Sequence, residues 1–170
     1  MPMEFFKQLS EYYFRSLTEE DIPEIYELLQ DNQLYFRYCP PQPTYETIRQ
    51  DMRALPPGKD YEDKHYGGLF DGNRLIAVFD LITNYPQEKA LFIGFFMMRK
   101  SEQGRGLGTK IISELCREVF EEGFTHIRLG YVKGNPQSEA FWLKNGFLST
   151  GVESKTEEYT IVILERDLSK

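Results

Sequence analysis

Two hydrophobic periods alternate along this chain and divide it into elements. Residues 12–17 read as a short strand. Thr18 then offers a helix cap, and Glu19, Glu20 and Asp21 fill the first turn, where the helix dipole favours anions. Ile22, Ile25, Leu28 and Leu29 recur at helical spacing, which predicts a first helix to about Gln30. Pro23 is tolerated because it falls in the first turns. Residues 32–64 are the least regular part. Pro40, Pro41 and Pro43 crowd together, and Pro56-Pro57-Gly58 ends a short helical segment over 45–55.

Residues 65–70 and 75–81 read as strands joined by Asp71-Gly72-Asn73, a strong hairpin signal. A second turn at 84–88 leads into an apolar run over 91–98, so these segments predict an antiparallel meander. The sharpest periodicity follows: Leu107, Ile111, Ile112, Leu115, Cys116, Val119 and Phe120 share one helical face, and Gly123 suits the C′ position. A strand over 125–132 comes after this crossover helix, so it should lie parallel to the 91–98 strand. Asn135 as N-cap, Pro136 at N1 and Gly146 at C′ bracket another helix. Residues 147–153 and 158–164 form a last hairpin, which leaves an edge strand that a second copy of the chain could use as a homodimer contact. The expectation is an α/β (α+β) fold. Its sheet is mixed, mostly antiparallel and flanked by helices, in one domain spanning 1–170.

Composition narrows the classes. Hydrophobic residues make up 41% and aromatics 15%, enough for a packed core. The net charge of −7 argues against a basic nucleic-acid-binding face and is compatible with a cationic amine substrate, although solubility alone accounts for it. Cys39 and Cys116 are far apart and suggest neither a disulfide framework nor a metal cluster. Glu4 and Lys7 interrupt any signal-peptide pattern, and no apolar run reaches membrane-spanning length. A reducing, cytoplasmic setting fits best.

The candidate chemistry lies between the 91–98 strand and the helix after it: Gln103-Gly104-Arg105-Gly106-Leu107-Gly108-Thr109. The free N–H groups of a helix start point outward, the dipole makes that end positive, and three glycines leave no Cβ in the way of a phosphate. Arg105 adds a cation able to make bidentate contact with phosphate. No G-x-x-x-x-G-K-[ST] run exists, which excludes a Walker loop. A dinucleotide fingerprint fails at its third glycine, where Thr109 stands. The remaining pattern, [QR]-x-x-G-x-[GA], is carried by Gln103, Gly106 and Gly108. It resembles the pyrophosphate loop of the GCN5-related N-acetyltransferases, which bind acetyl-coenzyme A. Asn135, Ala140, Phe141 and Gly146-Phe147 match that family's later pattern, N-x-x-x-x-A-[LF]-Y-x-x-x-G-F. The likeness covers residues 91–151 well and the earlier part only by segment order.

The resemblance implies that the strands over 91–98 and 125–131 splay apart. Pantetheine, the arm of the acetyl-coenzyme A co-substrate, would then pair with main-chain groups of Phe96 and Met98. A backbone N–H there would also stabilise the oxyanion at the thioester carbonyl. It implies further that the pyrophosphate sits on the N–H groups of Gly104, Arg105, Gly106, Leu107 and Gly108, that the Thr109 hydroxyl adds a donor, and that Asn135 and Phe141 flank the arm. Asn135 has a rival reading as a helix cap, and Phe141 as core packing. The aromatic residues Tyr35, Phe36, Tyr38, Tyr45 and Tyr61 either line a binding site or plug the end of the core.

The acceptor amine must be neutral to attack, yet a lysine-like amine has a pKa of about 10.4, so a carboxylate or water chain has to take its proton. The 91–98 strand carries no acidic residue, so the glutamate of some relatives is missing. Asp80, Glu62, Asp63 and His65 are the nearby candidates, and Asp80 is carried forward as the base. The family's usual tyrosine acid stands four residues before the Gly-Phe glycine, and this chain has Trp142 there. An indole N–H cannot supply a proton at neutral pH. Tyr131, or a tyrosine of the aromatic segment, could replace it. The expectation is direct acetyl transfer to an amine on a small molecule or peptide. The alternative, prompted by Trp142, is a weakly catalytic or non-catalytic acyl-coenzyme A sensor.

Overall fold

The computed structural model describes residues 7–9 and 11–170. Its strands are β1 (Gln8–Leu9), β2 (Tyr12–Ser16), β3 (Lys64–Asp71), β4 (Arg74–Thr83), β5 (Ala90–Met98), β6 (His126–Val132), β7 (Leu148–Lys155) and β8 (Thr160–Asp167). They form a single sheet in the order β1-β2-β3-β4-β5-β6-β8-β7. Every neighbouring pair is antiparallel except β5 and β6, which are parallel because α4 (Leu107–Glu121) carries the chain back between them. The fold is therefore the mixed, mostly antiparallel sheet flanked by helices that the periodicity predicts, with β7 at the edge.

Both faces of the sheet are covered. Alternation along β4 and β5 sends Ala77, Phe79, Leu81, Leu91 and Ile93 to one face. There they pack with Ile111, Ile112 and Leu115 of α4 and with Trp142 of α5 (Pro136–Lys144). Val78 and Met97 point the other way, to meet Ile25 and Leu28 of α1 (Ile22–Gln30) and Ile48 of α3 (Tyr45–Arg53). The acidic first turn predicted at residues 19–21 is a 3-10 turn leading into α1.

The segment read as irregular contains a further helix, α2 (Gln33–Tyr38). Its six residues are too short for a helical stripe to register in sequence, and none of them is fully buried. Packing of Tyr35 against Phe95 and Phe36 holds it, with ring centroids 5.6 and 5.0 Å apart.

Candidate active site

Register alone opens the site. β5 pairs with β6 only over Ala90–Ile93 and His126–Leu129. At that point β5 bulges: Phe95 lies opposite Asp80 and Ile93 opposite Leu81, which leaves Gly94 as the extra residue. A bulge bends its strand and increases the twist. Beyond it, β5 stays with β4, while residues 130–132 of β6 stay with β8. A wedge therefore opens between the two parallel strands. The Arg99 N–H donates to Ile76 O (2.7 Å), so main-chain groups of Arg99, Met97 and Phe95 face β4. Those of Phe96 and Met98, alternating with them, face the wedge.

The turn after β5 runs through a 3-10 turn at residues 100–102, with the Gln103 N–H donating to Lys100 O (3.1 Å). Gly104 and Gly106 then take positive φ (82° and 77°), a backbone that glycine alone adopts freely. An added Cβ would meet nothing within 4 Å at either position. Gly106 is the N-cap of α4, and the N–H groups of residues 104–109 form no backbone hydrogen bond among the described residues. A row of unpaired donors at the positive end of a fifteen-residue helix suits an anion. Gly108 serves packing instead: a Cβ there would lie 3.0 Å from Phe141 and 3.1 Å from the Met98 sulfur. Its bare backbone lets α4 approach β5 and α5.

Two side chains of the turn are already engaged. The Gln103 Nε2 donates to Met98 O and to Asn32 Oδ1, both at 2.8 Å. Arg105 pairs with Glu102, whose other oxygen accepts from Arg74 (3.0 Å). Thr109 Oγ1 lies 3.4 Å from Asn145 Nδ2, so α5 leans onto the first turn of α4. Along that seam a cavity of about 450 Å³ opens, whose border carries Thr109, Ser113, Lys144, Arg166 and Lys170 together with the carboxylates Glu165 and Asp167.

The far wall of the wedge comes from α5. Asn135 is buried, and its Oδ1 accepts from the N–H groups of Gln137 (3.1 Å) and Ser138 (3.2 Å), so it is the helix cap. Phe141 is half-buried against the core, its ring tilted toward Phe96 (6.0 Å) and edge-on to Trp142 (4.9 Å). Trp142 is 8% exposed and packs on Phe96, Phe141 and Phe147. It is an aromatic core residue at the position where the family pattern has tyrosine.

The two residues singled out for proton transfer lie on opposite faces of the sheet. Tyr131 shares the face of Ile127 and Leu129, and its hydroxyl donates to Glu139 of α5 (3.1 Å). Burial first, and then the Glu139 contact, push that hydroxyl above its ordinary pKa. Asp80 shares the face of Tyr66, its cross-strand partner, directly against the Gly94 bulge. Both its oxygens accept from the Lys64 ammonium (3.0 and 2.9 Å), which is only 4% exposed. Burial pushes the Asp80 carboxyl up and Lys64 pulls it back. Asp51 of α3 stands exposed, and the surrounding protein first and then the Asp80 charge push its carboxyl up as well. Of the other candidates, Asp63 pairs with Lys59 (3.2 Å) and His65 is on the opposite face from Asp80.

The aromatic segment divides. Tyr35 and Phe36 pack against the α1 side of the core, while Tyr45 and Tyr61 are exposed. Burial first, and then the Cys39 thiol just after α2, push the hydroxyls of Tyr35 and of Tyr159 in the β7–β8 turn above their ordinary pKa. Lys64, Asp51, Asn32 and Tyr159 carry no sequence signal for this site. Each belongs to a different element, and only the folded sheet gathers them.

A family model described as the acetyltransferase (GNAT) family matches residues 22–147. The chain belongs to that family of acetyltransferases. Solved structures agree on the fold. One is the acetyltransferase that modifies the N-terminal serine of 50S ribosomal subunit protein L7/L12 from Salmonella typhimurium. It shares 17% identity over 95% of this chain and 98% of that one, with a TM-score of 0.74. An acetyltransferase from Thermus thermophilus shares 19% identity over 94% and 98%, with a TM-score of 0.73. The PaiA N-acetyltransferase from Thermoplasma acidophilum, solved in complex with coenzyme A, shares 16% over 93% and 99%, with a TM-score of 0.63. Among the described residues, no helix is long and apolar enough to cross a membrane.

Proposed function

We propose that this protein transfers acetyl from acetyl-coenzyme A directly to a primary amine. The observation that carries the reading is the row of unpaired N–H groups over residues 104–109, beside a wedge into which Phe96 and Met98 turn their main chain. The residues fit the co-substrate: the turn is open above Gly104 and Gly106, and the wedge offers strand-like pairing to an extended arm. Residues 104–108 would hold the diphosphate, with the Thr109 hydroxyl beside them. Phe96 and Met98 would hold the arm and donate an N–H to the developing oxyanion. Asn135 and Phe141 would flank it. The cavity beside Lys144 and Lys170 would take the nucleotide end.

The amine would enter from the α1–α3 side, where Asp80 and Asp51 accept its proton directly or through water. Tyr131 would return a proton to the departing thiolate from the other side. Direct transfer is favoured because a primary amine needs no enzyme nucleophile, and Cys116, raised above its ordinary pKa by burial, is poorly suited to be one. A small amine and a protein N-terminus both remain within the substrate class. Cys39 and Cys116 are free thiols, which suits the reducing cytoplasmic setting included in this reading.

The test is coenzyme A release with a panel of amines, comparing wild type with Gly106→Trp. Turnover untouched by that bulky change overturns the loop assignment. Trp142 favours a second reading, an acyl-coenzyme A sensor with little turnover. Calorimetric binding without turnover of any amine, together with a sharp gain for Trp142→Tyr, would select it.

A further inference from the structure

The glycine turn is not held by its own residues alone. Asn32, the second residue after α1, is 8% exposed and uses both ends of its amide. Its Nδ2 donates to Leu28 O (2.9 Å) and to Met98 O (3.2 Å), and its Oδ1 accepts from Gln103 Nε2 (2.8 Å). Gln103 Nε2 also donates to Met98 O (2.8 Å), so two amide donors occupy that carbonyl. Three separate pieces of chain meet at this point: the end of α1, the last residue of β5 and the first residue of the glycine turn. Arg99, which follows Met98, is held from the same helix. The Arg99 guanidinium donates to Glu27 (2.9 Å) and to Leu75 O (2.8 Å), and lies 3.6 Å from Glu24.

We propose that Asn32 is a positioning residue for the co-substrate, acting through Gln103 and the Met98 carbonyl. This rests on the acetyl-coenzyme A reading above. With its carbonyl filled, Met98 offers only its N–H to the wedge, and Phe96 is left as the residue presenting both N–H and C=O there. Locking Gln103 sets where the turn begins, and hence where the N–H groups of residues 104–109 point. Without Asn32 the turn keeps its glycines but loses its anchor to α1. The donors then have to be ordered when the ligand binds, and that lowers affinity rather than chemistry.

Asn32→Leu removes the amide at similar size, and Gln103→Leu removes the other end of the bridge. A second variant at the turn keeps the test decisive if the first fails to fold. Each is expected to raise the calorimetric Kd for coenzyme A and the KM for acetyl-coenzyme A roughly tenfold, the effect of losing buried amide hydrogen bonds. The kcat is expected to stay within about threefold. Because one unit is broken either way, the double variant should bind no more weakly than the worse single one. A lowered Tm with an unchanged Kd in both variants would make the bridge merely structural and overturn the proposal. Wild type that binds no coenzyme A would instead overturn the function on which it rests.

Discussion

Gly106 and Gly72 both take positive φ in open space but belong to different turns, which makes them a matched pair. Gly106 sits at φ +77° in the glycine turn before α4 and Gly72 at φ +60° in the β3–β4 hairpin, and an added Cβ meets nothing within 4 Å at either. Holding an L-residue in this region costs about 1–2 kcal/mol. Alanine also narrows the unfolded ensemble, which offsets roughly 0.4–1 kcal/mol. The net loss is then about 1 kcal/mol for each variant. At this chain length that lowers Tm by roughly 2–4 °C. Thermal melts should therefore not distinguish Gly106→Ala from Gly72→Ala.

Binding should distinguish them. A methyl at 106 projects into the open space above the turn and keeps a phosphate from at least one N–H. A hydrogen bond to a charged group is worth about 1.5–3 kcal/mol, or roughly 10–150-fold in Kd. Calorimetry with coenzyme A should find Gly72→Ala close to wild type and Gly106→Ala weaker by at least tenfold. Equal affinities would refute the idea that the bare turn grips the diphosphate. A Tm loss at 106 far beyond that at 72 would show instead that the turn serves the fold.

Three other outcomes follow from the same geometry. Lys64→Met strands Asp80 as a buried unpaired charge and should cost about 3–5 kcal/mol at neutral pH. Asp80 is already pushed up by burial and rises further without Lys64, so acid neutralises it, and the Tm gap to wild type should shrink as pH falls; a flat gap would refute the pairing. Asp21 accepts two bonds from Arg15 (3.0 and 2.9 Å) and one from the Thr18 N–H (2.8 Å), and the Arg15 contact above all holds it below its ordinary pKa. Its contribution, roughly 1 kcal/mol given the exposure of Arg15, is present above the unfolded value of about 3.9. It is lost as pH falls through the lowered folded value, so the melting curves of Asp21→Asn and wild type should converge in acid. Tyr131→Phe removes only the hydroxyl donated to Glu139. If that hydroxyl protonates the thiolate, kcat should fall about 10²-fold or more with Tm nearly unchanged, and a loss under threefold removes Tyr131 from the mechanism.

The elements that could be read from sequence are those whose local signal and tertiary role coincide. The α4 stripe, the Asp71-Gly72-Asn73 turn and the Asn135-Pro136 cap each leave a local signal, so the meander, the parallel crossover and the last hairpin could be inferred, while the placement of β8 rather than β7 beside β6 could not. The glycine turn was legible for the same reason, because positive φ at Gly104 and Gly106 is a local need that only glycine meets cheaply. The short helix α2 was not legible, since its stability comes from Phe95, about sixty residues away.

What sequence alone determined is thus the frame and the bare glycine turn at the start of α4: period, caps and glycines act over a few residues and leave a local trace. Only the tertiary structure decided which groups face the wedge. It spent the Gln103 side chain on Asn32, buried Trp142 among rings, tied Asp80 to Lys64, and set Tyr131 and Asp80 on opposite faces of the sheet. Those choices depend on a one-residue bulge at Gly94 and on contacts between residues far apart in the chain. Register and long-range packing are collective properties, and no single stretch of sequence carries them.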